Sequence, residues 1–178
     1  MMKMHLALLA ATGMMAACTQ TAPVDTSAGT ATPRVATAML RTAANAPAGT
    51  ATATEVAGGV RIALSVSGLP QGPHGAHVHT TGRCDAPDFT TAGGHWNPTN
   101  QQHGTKNPAG PHAGDMPNLL VGTDGTGSIE FTLPGGSFDG LFDADGSAFM
   151  VHAGADDLMT DPSGNSGGRI ACGVFSQA

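Results

Sequence analysis

An all-β, antiparallel sandwich or barrel is the fold class predicted by this chain, on three observations. The chain breaks into short segments separated by turn residues, one of them alternates apolar and polar residues at period two, and no stretch carries the 3.6-residue periodicity of an amphipathic helix. Glycine (26) and proline (12) make up about a fifth of the 178 residues, which is turn-rich but below the roughly 25–30% of low-complexity disorder. With 40% hydrophobic residues, the length supports one folded domain. The charge balance is acidic, 7 Lys+Arg against 13 Asp+Glu, and Lys3 and Lys106 are the only lysines. No basic cluster exists to neutralise phosphates, which excludes nucleic acid as a partner.

The N-terminal 17 residues hold one charge, Lys3, and then an apolar run through Leu6, Leu8, Leu9, Met14 and Met15. This reads as a secretory signal peptide, too short to span a bilayer. The run Met15-Ala16-Ala17-Cys18 resembles a bacterial lipoprotein signal, in which Cys18 becomes the lipidated mature N-terminus. An ordinary cleavable signal is the alternative. Either address exports the chain, to the bacterial periplasm or cell envelope, and any membrane contact is expected only through a lipid on Cys18. Residues 18–33 are mostly Thr, Ala, Pro, Ser and Gly, with Val24 the only aliphatic larger than Ala, so they read as a flexible tether before a folded domain at 34–178. In an oxidising compartment the two remaining cysteines, Cys84 and Cys172, most simply pair with each other. Closing their 88-residue loop restricts the unfolded chain by about 4–5 kcal/mol in the entropy picture.

The strand segments follow in order at 35–41, 50–57, 60–67 and 75–80, then 119–123, 128–133, 148–152 and 170–175. In the third, Val60, Ile62, Leu64 and Val66 alternate with Arg61, Ala63, Ser65 and Ser67, which places four aliphatics on one face of a strand. The turn Asp124-Gly125-Thr126-Gly127 separates the fifth and sixth. Residues 81–117 fit neither period. A loop of that length inside a compact domain needs something to organise it, and a metal would do so.

Histidines concentrate there. His77 and His79 stand two apart on a strand segment and share a face, so a metal would bridge them, although such a pair is also found solvated on surfaces. His95, His103, His112 and Asp115 follow with 7, 8 and 2 residues between them, three imidazoles and a carboxylate that complete a tetrahedral zinc set. The neighbouring glycines would suit tight turns with or without an ion. Imidazole alone does not distinguish zinc from copper.

With these residues in view, the chain resembles the copper,zinc superoxide dismutases across 35–175. The resemblance rests on His74-Gly-Ala-His77-Val-His79, Cys84, Ala92-Gly-Gly-His95-Trp-Asn-Pro98, His103-Gly104, His112-Ala-Gly-Asp115, Val151-His152, Ala155-Asp-Asp157 and Gly168-Arg-Ile-Ala-Cys-Gly-Val174. It implies an eight-stranded antiparallel Greek-key barrel of immunoglobulin-like sandwich type with a long metal-organised loop. It further implies one copper per subunit on His77, His79, His95 and His152, and one zinc on His95, His103, His112 and Asp115. His95 would serve both. Cys84 and Cys172 match the family's disulfide, Arg169 the guanidinium beside copper, Asp156 a carboxylate bonded to one ligand of each metal, and His74 a supporting position. The implied activity is dismutation of superoxide to dioxygen and hydrogen peroxide by Cu(II)/Cu(I) cycling, with Arg169 and His95 catalytic. A lipid-anchored copper- and zinc-binding buffer protein using the same residues without turnover is the alternative, and a structural domain in which metals only hold loops is a third reading. The subunit arrangement, monomer or homodimer, stays open. Two departures bear on anion steering: residues 157–169 form a short loop without lysine or glutamate, and Arg83 is expected to add positive field at the site's mouth.

Overall fold

The structure, a computed structural model, describes residues 32–177. The signal segment 1–17, Cys18 and nearly all of the tether lie outside the described residues. Nine strands occur among those described: β1 (Val35–Arg41), β2 (Pro47–Val56), β3 (Gly59–Val66), β4 (Gly72–His74), β5 (Ala76–His79), β6 (Leu119–Val121), β7 (Gly127–Leu133), β8 (Ala148–His152) and β9 (Arg169–Gln177). All their pairings are antiparallel, in the order β4-β6-β7-β3-β2-β1-β9-β8-β5.

The alternation read from the sequence is the alternation that folds. Val60, Ile62, Leu64 and Val66 are buried, while Arg61 and Ser65 face solvent. They join Leu40, Val121, Leu133, Phe149 and Phe175 in one core, with Phe149 and Phe175 meeting edge to face at 6.3 Å. A smaller apolar cluster of Phe89, Ala92, Ala148, Met150 and Cys172 lies beside the Cys84–Cys172 disulfide, which the structure contains.

The expected count of eight strands becomes nine because the segment at 75–80 begins earlier and is broken. Gly75 leaves both ladders: its N–H goes to the Gly154 carbonyl at 2.8 Å and its own carbonyl accepts the His152 N–H at 2.9 Å. A Cβ there would stand 2.8 Å from Ser166 Cβ, so glycine is required by the approach of 166 to the backbone. β4 therefore pairs with β6 and β5 with β8. Consecutive residues thus occupy the two edges of the sheet, and the barrel nearly closes.

The long interval after β5 is held by more than a metal could supply. Val78 donates to Gly114 O and its carbonyl accepts from Trp96 N–H, while Gly114 donates to Trp96 O. Isolated bridges pair His77 with Asp115 and His79 with His95. The loop thus lays two short stretches along the β5 edge, satisfying backbone groups that an edge strand would otherwise expose. Trp96, buried, joins the main core.

Candidate metal centre

The bridges just described bring distant residues to one place. His77 and His79 project from β5 and His152 from the end of β8, where the register shifts after Val151. His95 enters from the loop. The ring centroid of His95 lies 4.0 Å from that of His77, 5.0 Å from His79 and 6.1 Å from His152. One nitrogen from each of the four rings lies within 4.8 Å of the other three. Four buried nitrogens have no hydrogen-bond partner: Nδ1 of His77 and Nε2 of His79, His95 and His152.

Buried polar atoms are normally paired, so four orphans from four converging rings need an account. Their opposite nitrogens supply half of it. His77 Nε2 bonds Asp156 Oδ2 at 2.6 Å, His79 Nδ1 the Gly93 carbonyl at 3.0 Å, and His152 Nδ1 the Gly167 carbonyl at 3.1 Å. An acceptor on one ring nitrogen places the proton there and leaves the other a lone pair. The three lone pairs then face the common centre. Burial, reinforced by neighbouring imidazoles, pushes the ring pKa of His77 down to about 3, His79 to about 2 and His152 to about 4, and lowers that of His95. All four rings are neutral at neutral pH, the form in which imidazole binds a metal.

A second set shares His95. Its Nδ1 lies 2.9 Å from Asp115 Oδ1, which is also 3.1 Å from His103 Nδ1 and 3.3 Å from His112 Nδ1. These four residues, all buried, offer one ligand atom each within the same 4.8 Å. Asp115 Oδ2 accepts from the backbone N–H groups of Gly104 and His112, at 2.8 and 3.0 Å. Burial acts to raise the Asp115 carboxyl, but these donors and the adjoining rings hold it far below the usual range. His103 behaves oppositely to the first set. Burial disfavours its charge, yet Asp115 on one nitrogen and Asp156 on the other, at 3.0 Å, together raise it to about 9.

Asp156 thus stands between the two sets, on His77 of one and His103 of the other. Its backbone is clasped by the Asn118 side chain, which donates to the Asp156 carbonyl and accepts its N–H, both at 2.8 Å. Gly164 makes room for it: with φ at 60°, a Cβ would fall 1.7 Å from Asp156 Oδ1 and 2.7 Å from His103 Nε2. His74 is buried and ties β4 to the site, its ring nitrogens 2.8 Å from the carbonyls of His152 and Pro70.

An open cavity of about 490 Å³ exposes one side of the first set, lined by His79, His95, His152 and Arg169 together with Asn97, Gln101, Asp161 and Ser163. Half-buried Arg169 is fixed by two 2.6 Å hydrogen bonds, to the carbonyls of Phe89 and Gly93. It is the only cation lining the cavity. Arg83 departs from expectation: it is exposed, pairs with Asp85 and does not line the cavity, because the turn after β5 carries it outward. The sequence reading passed over Asn118, Gly164 and Asp161. None sits in a ligand motif, and their importance depends on how separate loops meet.

The comparisons with known proteins point to one family. The family described as copper/zinc superoxide dismutase (SODC) matches residues 47–175. A protein of Aquifex aeolicus named superoxide dismutase [Cu-Zn] 1 is 47% identical over 122 residues, 65% of this chain and 72% of that one. A superoxide dismutase [Cu-Zn] of Caulobacter vibrioides is 41% identical over 147 residues, 79% of this chain and 84% of its own. Among solved structures, a SOD-like protein from Bacillus subtilis superposes with a TM-score of 0.72 at 41% identity, covering 78% of this chain and 96% of that one. On the matched length, the identity and the shared fold, this chain belongs to the copper/zinc superoxide dismutase family.

Proposed function

We propose that the protein is a superoxide dismutase that holds one copper on His77, His79, His95 and His152 and one zinc on His95, His103, His112 and Asp115. The observation that carries this reading is the convergence of four unpartnered, buried, neutral imidazole nitrogens beside a cavity with a single guanidinium. Four nitrogen donors suit copper, and three imidazoles with a carboxylate suit zinc. Copper bound there supplies the one-electron redox change by which one superoxide becomes dioxygen and the next becomes hydrogen peroxide.

The chain's own groups do the rest. Arg169, held by two carbonyls, presents its remaining N–H donors to an anion in the cavity and supplies local positive field in an otherwise acidic chain. His95 lines the cavity, keeps Nδ1 with Asp115 and leaves Nε2 among the other three rings. While that nitrogen is not on copper it can carry a proton and release it to the reduced oxygen, which needs two protons to leave as hydrogen peroxide; water supplies the other. Asp156, Gly93 and Gly167 hold the other three rings in the tautomer that faces inward. Three backbone or carboxylate anchors leave those rings little freedom to turn.

Residues 1–17 act in this reading as a signal peptide, Cys18 as the lipidated N-terminus, 18–33 as a tether and 34–178 as the catalytic domain in the periplasm. The lipid is its contact with a membrane, and superoxide is its substrate. The test is metal analysis with a superoxide-consumption assay on protein made without residues 1–18. Copper-loaded protein is expected to consume superoxide and to be inhibited by cyanide, and Arg169→Ala to lower the rate about tenfold or more. Full copper loading without turnover would instead establish a metal buffer.

A further inference from the structure

Of the three imidazoles in the zinc set, His95 and His103 have both ring nitrogens engaged within the two clusters or by Asp156. His112 is different. Its Nδ1 faces the cluster, 3.3 Å from Asp115 Oδ1 and 3.5 Å from His95 Nδ1. Its Nε2 points the other way, toward the loop after β8, where Asp161 Oδ1 lies 3.6 Å off. At that separation the two atoms are neighbours without a direct hydrogen bond. The same oxygen accepts the backbone N–H of His103 at 2.6 Å. One carboxylate oxygen thus touches two residues of the zinc set, from a loop that contributes no ligand to it.

The loop's local structure aims it there. Asp157 Oδ1 accepts from the N–H groups of Met159 and Thr160, at 2.9 and 2.8 Å, and Gly164 donates to the Thr160 carbonyl at 2.7 Å. Lys106 N–H bonds the Leu158 carbonyl at 3.0 Å, and Asn107 Nδ2 bonds that of Met159 at 3.1 Å. The turn is therefore docked on residues 103–107, and Asp161 is the charged group at the seam. A carboxylate behind a ligating histidine fixes its tautomer and raises its basicity, and its removal typically weakens metal binding.

We propose that Asp161 is a positioning residue of the zinc site, seating the His103 backbone and the His112 ring together so that the turn at 157–162 is part of the site. The inference rests on the zinc reading of that cluster. Its test uses the protein lacking residues 1–18 and compares Asp161→Ala and Asp161→Asn with the unchanged chain. Zinc affinity is measured by competition with a chromophoric chelator, and the cluster is also filled with Co(II) for its visible spectrum. Asp161→Ala is expected to raise the zinc Kd by about 10- to 100-fold and to shift the Co(II) bands. Asp161→Asn keeps an acceptor for the His103 amide without the charge, so a smaller loss is expected. If Asp161→Ala does not fold, the Asn variant decides: a zinc Kd and Co(II) spectrum indistinguishable from the unchanged chain overturn the inference. Faster hydrogen exchange at the His103 amide with unaltered zinc binding overturns it too, by reducing Asp161 to a loop clasp. Failure of the unchanged chain to bind zinc would remove the zinc reading along with this inference, whereas tight zinc binding by all three proteins removes this inference alone.

Discussion

At the scale of single residues, the site depends on which nitrogen of each ring carries a proton, and those choices are made by atoms outside the two clusters. Asp156 is the most connected, bonding His77 and His103 at once. Gly164→Ala would drive a methyl into its carboxylate in a backbone conformation that L-residues rarely adopt. The variant is expected to lose affinity for both metals by about tenfold or more, read by metal analysis after dialysis against a graded chelator. The protonation states separate the two sets. His77, His79 and His152 hold no second proton above about pH 5 and are neutral, whereas His103, raised to about 9, would release one on taking up zinc. At pH 7, calorimetry in buffers of differing ionisation enthalpy is expected to count about one proton released when zinc binds first, and about one more when copper then takes the second nitrogen of His95, which cannot serve both metals and keep its N–H. The converging histidines were legible in the sequence, His77, His79, His95, His103 and His112 from their spacing and His152 from the family resemblance. Asp161, Gly164 and Asn118 were not, since nothing in their own neighbourhood announces partners brought to them by the meeting of separate loops.

At the scale of elements, period-two alternation located the strands because one face of each is packed and the other wet. β1 and β8 have the bounds that the sequence indicates, and β2, β3, β6, β7 and β9 differ by a few residues at their ends. The break at Gly75 escaped that reading. Alternation reports burial, and β5 is buried on both faces, so periodicity carries no sign that the chain has moved from one sheet edge to the other. The pairing of 94–96 and 113–115 with β5 escaped it for a similar reason: loop backbone can ladder without any side-chain pattern. The role given to a metal in ordering this loop is accordingly shared with backbone hydrogen bonds, the disulfide and buried Trp96. The best-patterned strand allows a direct test of the core. Ile62 is fully buried, and Ile62→Ala is expected to cost about 2–5 kcal/mol, read from denaturant unfolding, with metal content per folded molecule unchanged because the site lies on other strands.

At the scale of the whole molecule, the buried histidines tie stability to pH. In protein stripped of metal by chelator, His77, His79 and His152 have folded pKa values below the ordinary 6.5. Unfolding then takes up protons below pH 6.5, so their stabilising contribution is complete above that pH and is lost as pH falls toward 4. His103 has the opposite sign: its contribution is complete below 6.5 and is lost as pH rises through about 9. Stability of the stripped protein is expected to peak near pH 6.5 and to fall more steeply on the acid side, where His95, also lowered by burial, joins the other three and four groups act against one. Each contributes a slope of about 1.4 kcal/mol per pH unit, and urea midpoints across pH 4–9 would trace it. The disulfide acts over a similar distance. Cys84 ties the segment that runs on to Phe89 and Gly93, whose carbonyls hold Arg169, to Cys172 on β9. Replacing both cysteines by serine is expected to slow turnover of the copper-loaded protein at temperatures where it is still folded, since the guanidinium loses its fixed seat, and to lower Tm as well.

That last connection gives the cross-link a meaning beyond mechanical strength. Because the arm that receives the anion is aimed by carbonyls that two sulfur atoms keep in place, the surroundings that allow those atoms to join also license the chemistry. A copy held under reducing conditions would carry every ligand and still lack a properly aimed grip on its substrate.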